Sequence, residues 1–307
     1  MRFFLSLLLI MFSSVSLSAS PIDVYADILR DDMCEYLRKK IEDAQVIVDP
    51  FPHIVIENFF SEDFYQCALK YYPIESQFYA SRLCSNYGCL ESSSLSTDQK
   101  VFWHHFGEVI VNRFIKPRLI DKLKPFFHLK LNMEKFPCES LDYNRDFMNY
   151  RQDSLVLGLQ ITKYRGISAH VDQLNLFAAL LIYFPTDDQH QECGTIFYNS
   201  NSSADVNTLY ADDGLDLQFA KKIPYKPNTL LCFLQTPFAW HGADLSTAEM
   251  GYLRHLYLAP IFLSPEFMNR HYKDIYRRTM VDDYFFDNRF LNKENWMDIW
   301  SGSDAYK

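Results

Sequence analysis

In the first half of the chain, apolar residues recur at near-helical intervals. In the second half they crowd into short runs of β-branched and aromatic residues separated by turn chemistry. In VYADILRDDMCEYLRKKIEDAQ the charges fall between the apolar positions, which predicts an amphipathic helix. DPFPHIVIENFFSEDFYQCALKYYP predicts a strand over residues 54–56, then a helix with Ser61 as its N-cap and Asp63 in its first turn. Residues 100–123 predict a further helix, bent or ended by Pro117, whose ring removes a backbone donor and crowds the preceding turn. From about Ser154 the runs LVLGLQITKY, LFAALLIYFP, GTIFYNS, AKKIPYKPNTLLCFLQ and LRHLYLAPIFL read as strands. With no helical pattern between them, an antiparallel sandwich or barrel is expected. The tail over 264–307 carries Tyr272, Tyr276, Phe285, Phe286, Phe290, Trp296 and Trp300 among many charges and is expected to be a helical extension packed on the β core.

Composition narrows the class of partner. The chain has 307 residues and is 48% hydrophobic, enough for one large core, and 16% aromatic with 26 Phe and 20 Tyr against 9 Gly, which suits β-rich packing around rings. A formal charge of −9 disfavours nucleic acid and anionic membrane surfaces as partners. The opening MRFFLSLLLIMFSSVSLSAS has one Arg, an apolar run from Phe3 to Phe12 and small residues near Ser18 and Ala19, the pattern of a secretory signal. That run is too short to span a bilayer comfortably, so export is expected (periplasm, medium or secretory lumen), with an uncleaved anchor as the weaker alternative. Seven Cys is an odd number. Cys84 and Cys89, in a Ser-rich loop, are the one closely spaced pair that could bridge, and Cys232 in NTLLCFLQ reads as a buried apolar residue.

The chemistry concentrates in YRGISAHVDQLNLFAALLIYFP, where a His and an Asp two apart precede a long apolar run. On a strand or its extended end, residues i and i+2 project to one side, so His170 and Asp172 can offer an imidazole and a carboxylate to one point. A third ligand comes from PFAWHGADL, where His241 follows a predicted strand by a short turn containing Pro237. Two His and one carboxylate form a facial triad with open coordination positions, the donor set of non-haem Fe(II) oxygenases. Further on, Arg254 stands alone within the apolar strand GYLRHLYLAPIFL. A buried Arg needs an anion, and its planar fork suits a carboxylate, so a diacid held by the metal at one end and by Arg254 at the other accounts for both features; His255 is expected on the opposite face. His190 and Glu192, in DDQHQE, read as a solvated connection, and His104 and His105 as packing or surface residues.

The ordered pieces ITKYRGISAHVD, ALLIYFP, ECGTIFY, PNTLLCF and WHGAD followed by LRHLYL resemble the 2-oxoglutarate and Fe(II)-dependent dioxygenases, in the branch similar to prolyl 4-hydroxylases. The upstream DPFPHIVIENFFSEDF resembles the entry strand and helix of many bacterial members. The resemblance implies a double-stranded β-helix, or jelly-roll, core with flanking helices. It also implies His170, Asp172 and His241 as iron ligands, Arg254 on the distal carboxylate of 2-oxoglutarate, and Tyr183 and Tyr164 as hydrogen-bonding partners of that cosubstrate. Fe(II) and 2-oxoglutarate are then the cofactors, with ascorbate as an optional accessory. The implied reaction is hydroxylation of a substrate C–H bond coupled to decarboxylation of 2-oxoglutarate to succinate and CO2. Two departures stand out: the interval from His241 to Arg254 is longer than is usual in prolyl hydroxylases, and Gly194-Thr195 occupies the place of a Gly-Gly pair.

The expected organisation is a signal peptide over 1–19, a helical and strand region over 20–153 packed on the core, the dioxygenase core over 154–263 and the tail over 264–307. The substrate is an unidentified small molecule, peptide or glycan. Two other readings remain open at this point: a non-catalytic jelly-roll binding module, and a cupin-like metalloprotein with another chemistry. Arg254 tells against the second, which has no need of a carboxylate fork.

Overall fold

Two antiparallel sheets face each other, and helices cover the outer face of the larger one. The computed structural model describes residues 31–80, 87–90, 95–131, 141–147, 159–162, 166–172, 176–200, 216–236, 238–245, 252–264 and 267. The larger sheet runs β1 (His53–Ile56), β9 (Thr229–Leu234), β6 (Leu176–Tyr183), β11 (Arg254–Leu258), β4 (Leu159–Thr162), β3 (Tyr87–Leu90), β2 (Phe78–Ala80), with β12 (Ile261–Phe262) pairing β6. The smaller sheet runs β5 (Gly166–His170), β10 (His241–Asp244), β7 (Thr195–Asn199), β8 (Gln218–Ile223). From β4 onward the chain passes back and forth between the sheets, the winding of a jelly roll.

The long apolar run in β6 has a physical reason. Ala179, Leu181 and Tyr183 pack into the cluster between the sheets, whereas Leu180, Ile182 and Phe184 pack into the cluster under the helices. β9 divides likewise, Leu231 and Phe233 inward and Leu230, Cys232 and Leu234 outward. A sheet covered on both faces has no solvent side, so the usual apolar/polar alternation vanishes from its central strands.

The helical layer comprises α1 (Asp31–Asp43), α2 (Glu62–Tyr71), α3 (Thr97–His105), a π-helical stretch Phe106–Ile115 continuing into α4 (Lys116–Leu123), then the short α5 (Phe127–Leu131) and α6 (Tyr143–Asp146). Its core is aromatic: Trp103 lies edge-on to Phe184 at 5.7 Å and stacks on Tyr257 at 5.8 Å, with its indole N–H donating to the Tyr71 carbonyl at 2.8 Å. Asn228, in the left-handed region at φ 54, grips the Phe60 backbone with both ends of its amide and so ties the turn before β9 to the entry of α2. At one edge of the sandwich Lys221 of β8 reaches across to His53 of β1, Nζ to Nε2 3.1 Å.

Several expectations are met and several corrected. The strand at 54–56 and the helix after Ser61 are present, but the Ser61 side chain makes no capping bond; Ser96 instead supplies a full capping box with Gln99 at the start of α3. Pro117 neither ends nor breaks its helix. The Lys116 N–H reaches back to the Val111 carbonyl in the wider π register, and the proline opens the next α-helical turn, where a missing donor is tolerated. β3, in the stretch read as a Ser-rich loop, β2 just before it, and the short β5 and β10 were not among the strand runs expected from the sequence. The signal segment, Cys84, Tyr164, Pro237 and nearly all of the tail lie outside the described residues. Cys232 is fully buried as expected, and among the described residues no helix is long and apolar enough to cross a membrane.

Candidate metal centre

The short strands β5 and β10 pair so that His170 and His241 are direct cross-strand neighbours, with ring centroids 4.3 Å apart. Gly242 makes this approach possible: a Cβ there would lie 2.7 Å from the Ile167 carbonyl oxygen. Asp172, just past the end of β5, turns its carboxylate between the rings, Oδ1 3.6 Å from His170 Nε2 and Oδ2 3.5 Å from His241 Nε2. One ligand atom from each of the three lies within 4.8 Å of the others, close enough to share one ion.

The backbone fixes which ring nitrogens face that point. His170 Nδ1 lies 2.9 Å from the Ser168 carbonyl and His241 Nδ1 2.9 Å from the Ala239 carbonyl. A carbonyl only accepts, so both Nδ1 atoms carry protons, and in the neutral rings each Nε2 presents a lone pair beside Asp172. Two lone pairs and a carboxylate converging on one point are a donor set for a cation.

The electrostatics agree. Burial raises the Asp172 pKa, but the two imidazoles and the buried Lys130 outweigh it and hold the carboxyl below its ordinary value. Burial and the neighbouring His170 push His241 down to about 4, so its ring is neutral near pH 7. Burial works against charge on His170, yet Asp172 and the Ser168 carbonyl prevail and its pKa is raised. Protons compete with a metal for these donors, so metal affinity is expected to fall as the pH drops.

Arg254 is a second buried polar feature between the sheets. It is 1% exposed, its Nη2 donates to Thr195 Oγ1 at 2.9 Å, and that hydroxyl lies 2.6 Å from the Tyr183 hydroxyl. The guanidinium sits over the Tyr183 and Tyr225 rings at 5.1 and 5.6 Å. Its buried Nε has no partner, and among the described residues no carboxylate lies within 4.0 Å of it. A solvated surface arginine is thereby ruled out.

His255, next in β11, turns the other way onto Tyr72 at 5.1 Å. Burial pushes its pKa from 6.5 down to about 4, with Glu75 opposing. Because the folded value is the lower one, the stabilisation present above pH 6.5 is lost as the pH falls toward 4, by up to about 3 kcal/mol. His255→Phe is expected to flatten that part of the acid limb, read from denaturant midpoints between pH 4 and 7.

Other sequence candidates fall outside this cavity. His105 bonds the Val101 carbonyl on its own helix and rings with His104. His190 and Glu192 are more structured than a solvated connection: His190 packs on Tyr252 at 4.0 Å, its Nδ1 lies 3.3 Å from Glu192 Oε1, and with Cys193 they form a second close cluster of ligand-type atoms. Burial pushes the Cys193 thiol up to about 11, so it stays protonated and turns toward Glu192. Thr195 and Tyr225 were missed as site residues. At Gly194, just before Thr195, a Cβ would lie 1.8 Å from the Ile223 carbonyl oxygen, so nothing larger fits there.

No family model and no curated protein matches the chain. Among solved structures, a selenomethionine-labelled Fe(II)/(alpha)ketoglutarate-dependent dioxygenase, TqaL, is similar at 12% identity over 80% of this chain and 90% of its own, with a TM-score of 0.33. A likeness of that size carries no weight for function, which rests here on the side chains.

Proposed function

We propose that this protein is an Fe(II)- and 2-oxoglutarate-dependent dioxygenase that hydroxylates a peptide, amino acid or glycan substrate. The observation that carries the reading is a His-Asp-His donor set on the same sheet as Thr195, the residue that holds a buried guanidinium with no carboxylate within 4.0 Å among the described residues. A metal site alone suits many chemistries, and a buried cation alone suits many anions. Their spacing is selective: Thr195, which receives the Arg254 bond, pairs with Ala243, two residues beyond His241 in β10. Thr195, the residue that holds the guanidinium, is thus set about 7 Å along the sheet from the row of metal ligands, a spacing on the scale of a five-carbon diacid. With iron(II) and 2-oxoglutarate bound there, O2 would be the oxidant, one oxygen atom going to the substrate C–H bond and the other to the succinate formed as the diacid loses CO2.

The chain's own residues have defined tasks in this reading. His170, Asp172 and His241 hold one face of the metal and leave the other open. Arg254, with the Thr195 and Tyr183 hydroxyls beside it, orients the diacid through its far carboxylate. The surrounding rings of Tyr183, Tyr225 and Phe233 keep water out, Phe233 lying 4.6 Å from the His241 ring. Export, and the prolyl 4-hydroxylase-like branch, belong to this proposal on the strength of the sequence alone.

Anaerobic titration tests it. The Fe(II)-loaded protein is expected to develop a visible charge-transfer band on adding 2-oxoglutarate, and to release succinate on admitting O2. A folded, iron-loaded protein that shows neither would be a metalloprotein of another kind, and one that takes up no iron would be a binding module.

A further inference from the structure

Beside the metal centre lies a buried lysine side chain, Lys130, that belongs to neither ligand set. α5 is anchored by Phe127, packed on Phe177 at 5.1 Å, and one turn later Lys130, 2% exposed, sends its Nζ to the carbonyls of Leu176 at 2.6 Å and Gln235 at 3.1 Å. Those carbonyls mark two particular places. Leu176 opens β6 shortly after Asp172, and Gln235 directly follows β9 on the connection that leads to His241. Gln235 is itself 1% exposed, and its Nε2 donates to the Asp172 carbonyl at 3.2 Å and to the Thr236 carbonyl at 3.3 Å. The Thr236 carbonyl also accepts from the Ala239 N–H at 3.0 Å, and the Ala239 carbonyl is the one that orients His241. One connected set of hydrogen bonds therefore runs from Lys130 to the backbone of Asp172 on one side and to the ring of His241 on the other.

We infer that Lys130 and Gln235 are positioning residues of the metal centre: the Lys130 Nζ fastens together the two segments that deliver Asp172 and His241, and the Gln235 amide sets the backbone of each. The inference rests on the metal reading above. A lysine buried merely for packing would find whichever carbonyls lie nearest; this one joins the two ligand-bearing connections, and its neighbour in the set touches both. The clamp acts before metal arrives, so its effect belongs in the affinity and geometry of the site.

The test is Co(II) binding to the whole chain by calorimetry and visible absorption, with Lys130→Met, Lys130→Arg and Gln235→Met. Gln235→Met removes the amide but keeps the carbonyl that Lys130 grips, so it remains informative should Lys130→Met fail to fold. Expected are a tenfold to hundredfold loss of Co(II) affinity in both Met variants, an altered d–d absorption envelope reporting a loosened ligand set, and partial recovery in Lys130→Arg, whose fork can still reach two carbonyls. Folded variants that bind Co(II) within twofold of wild type with an unchanged spectrum overturn the clamp while leaving the triad standing. A wild-type chain that binds no Co(II) overturns the metal centre itself.

Discussion

Alanine at His170, Asp172 or His241 is expected to reduce bound iron and iron-dependent succinate formation to background, whereas His190→Ala retains both. Each of the three removes one corner of a set whose two remaining donors cannot define a coordination face. Structural-site energetics suggest a large loss, since the ligands' converging lone pairs and carboxylate offer a cation several charge-assisted bonds in a partly desolvated place. The fold is expected to survive, because His170 ends the short β5, Asp172 lies just past it, and their side chains remain 14% and 27% exposed. The measurement is iron content after anaerobic loading and desalting, followed by succinate release under O2. The contrast with His190 is what makes it sharp: that residue also has a carboxylate and a thiol beside it, so equal losses at His170 and His190 would sink the assignment of the ligands.

Arg254→Met is expected to produce two opposite effects. Affinity for 2-oxoglutarate should fall at least a hundredfold, about 3 kcal/mol, which is the usual scale for a charge-assisted bond to a buried partner. The protein without cosubstrate should become more stable, by roughly 1–4 kcal/mol, because a buried cation with no carboxylate within 4.0 Å among the described residues is replaced by an apolar chain of similar length. In wild type, saturating 2-oxoglutarate supplies the missing counter-charge and should raise the melting temperature; at a hundred times its Kd the gain is about 2.7 kcal/mol. The variant should bind Co(II) normally and show no cosubstrate-dependent shift. Thermal melts of both proteins with and without 2-oxoglutarate check this in one experiment. A variant that is less stable yet keeps the full ligand-induced shift would make Arg254 an ordinary core tie.

The reach of the sequence differs from one element to the next, and the differences are physical. β6 and β9 were legible because a strand buried on both faces is written as an unbroken apolar run. β5 and β10, which carry the metal ligands, were not: GISAH and HGAD are short, small and polar, and they become strands by pairing with each other and, for β10, with β7. Ser61 was placed correctly at a helix start without making the cap its chemistry allows, since cap geometry depends on how the preceding chain arrives. Pro117 was read by the rule for regular helices and escaped it because the upstream turns are wider.

What the sequence determined alone is the chemistry on offer: a His-x-Asp before a long apolar run, a later His, an arginine stranded in an apolar stretch, and the unbroken apolar runs of the central strands. These are local facts, written in residue type and period. What the tertiary structure decided is convergence: that β5 lies beside β10 so His170 meets His241, that Arg254 finds a threonine hydroxyl and no carboxylate among the described residues, and that a lysine from a distant short helix ties together the two ligand-bearing segments. Such relations join positions far apart along the chain, and they exist once packing and pairing have set the distances; no period or motif in a single sequence encodes a distance between strands that have yet to meet.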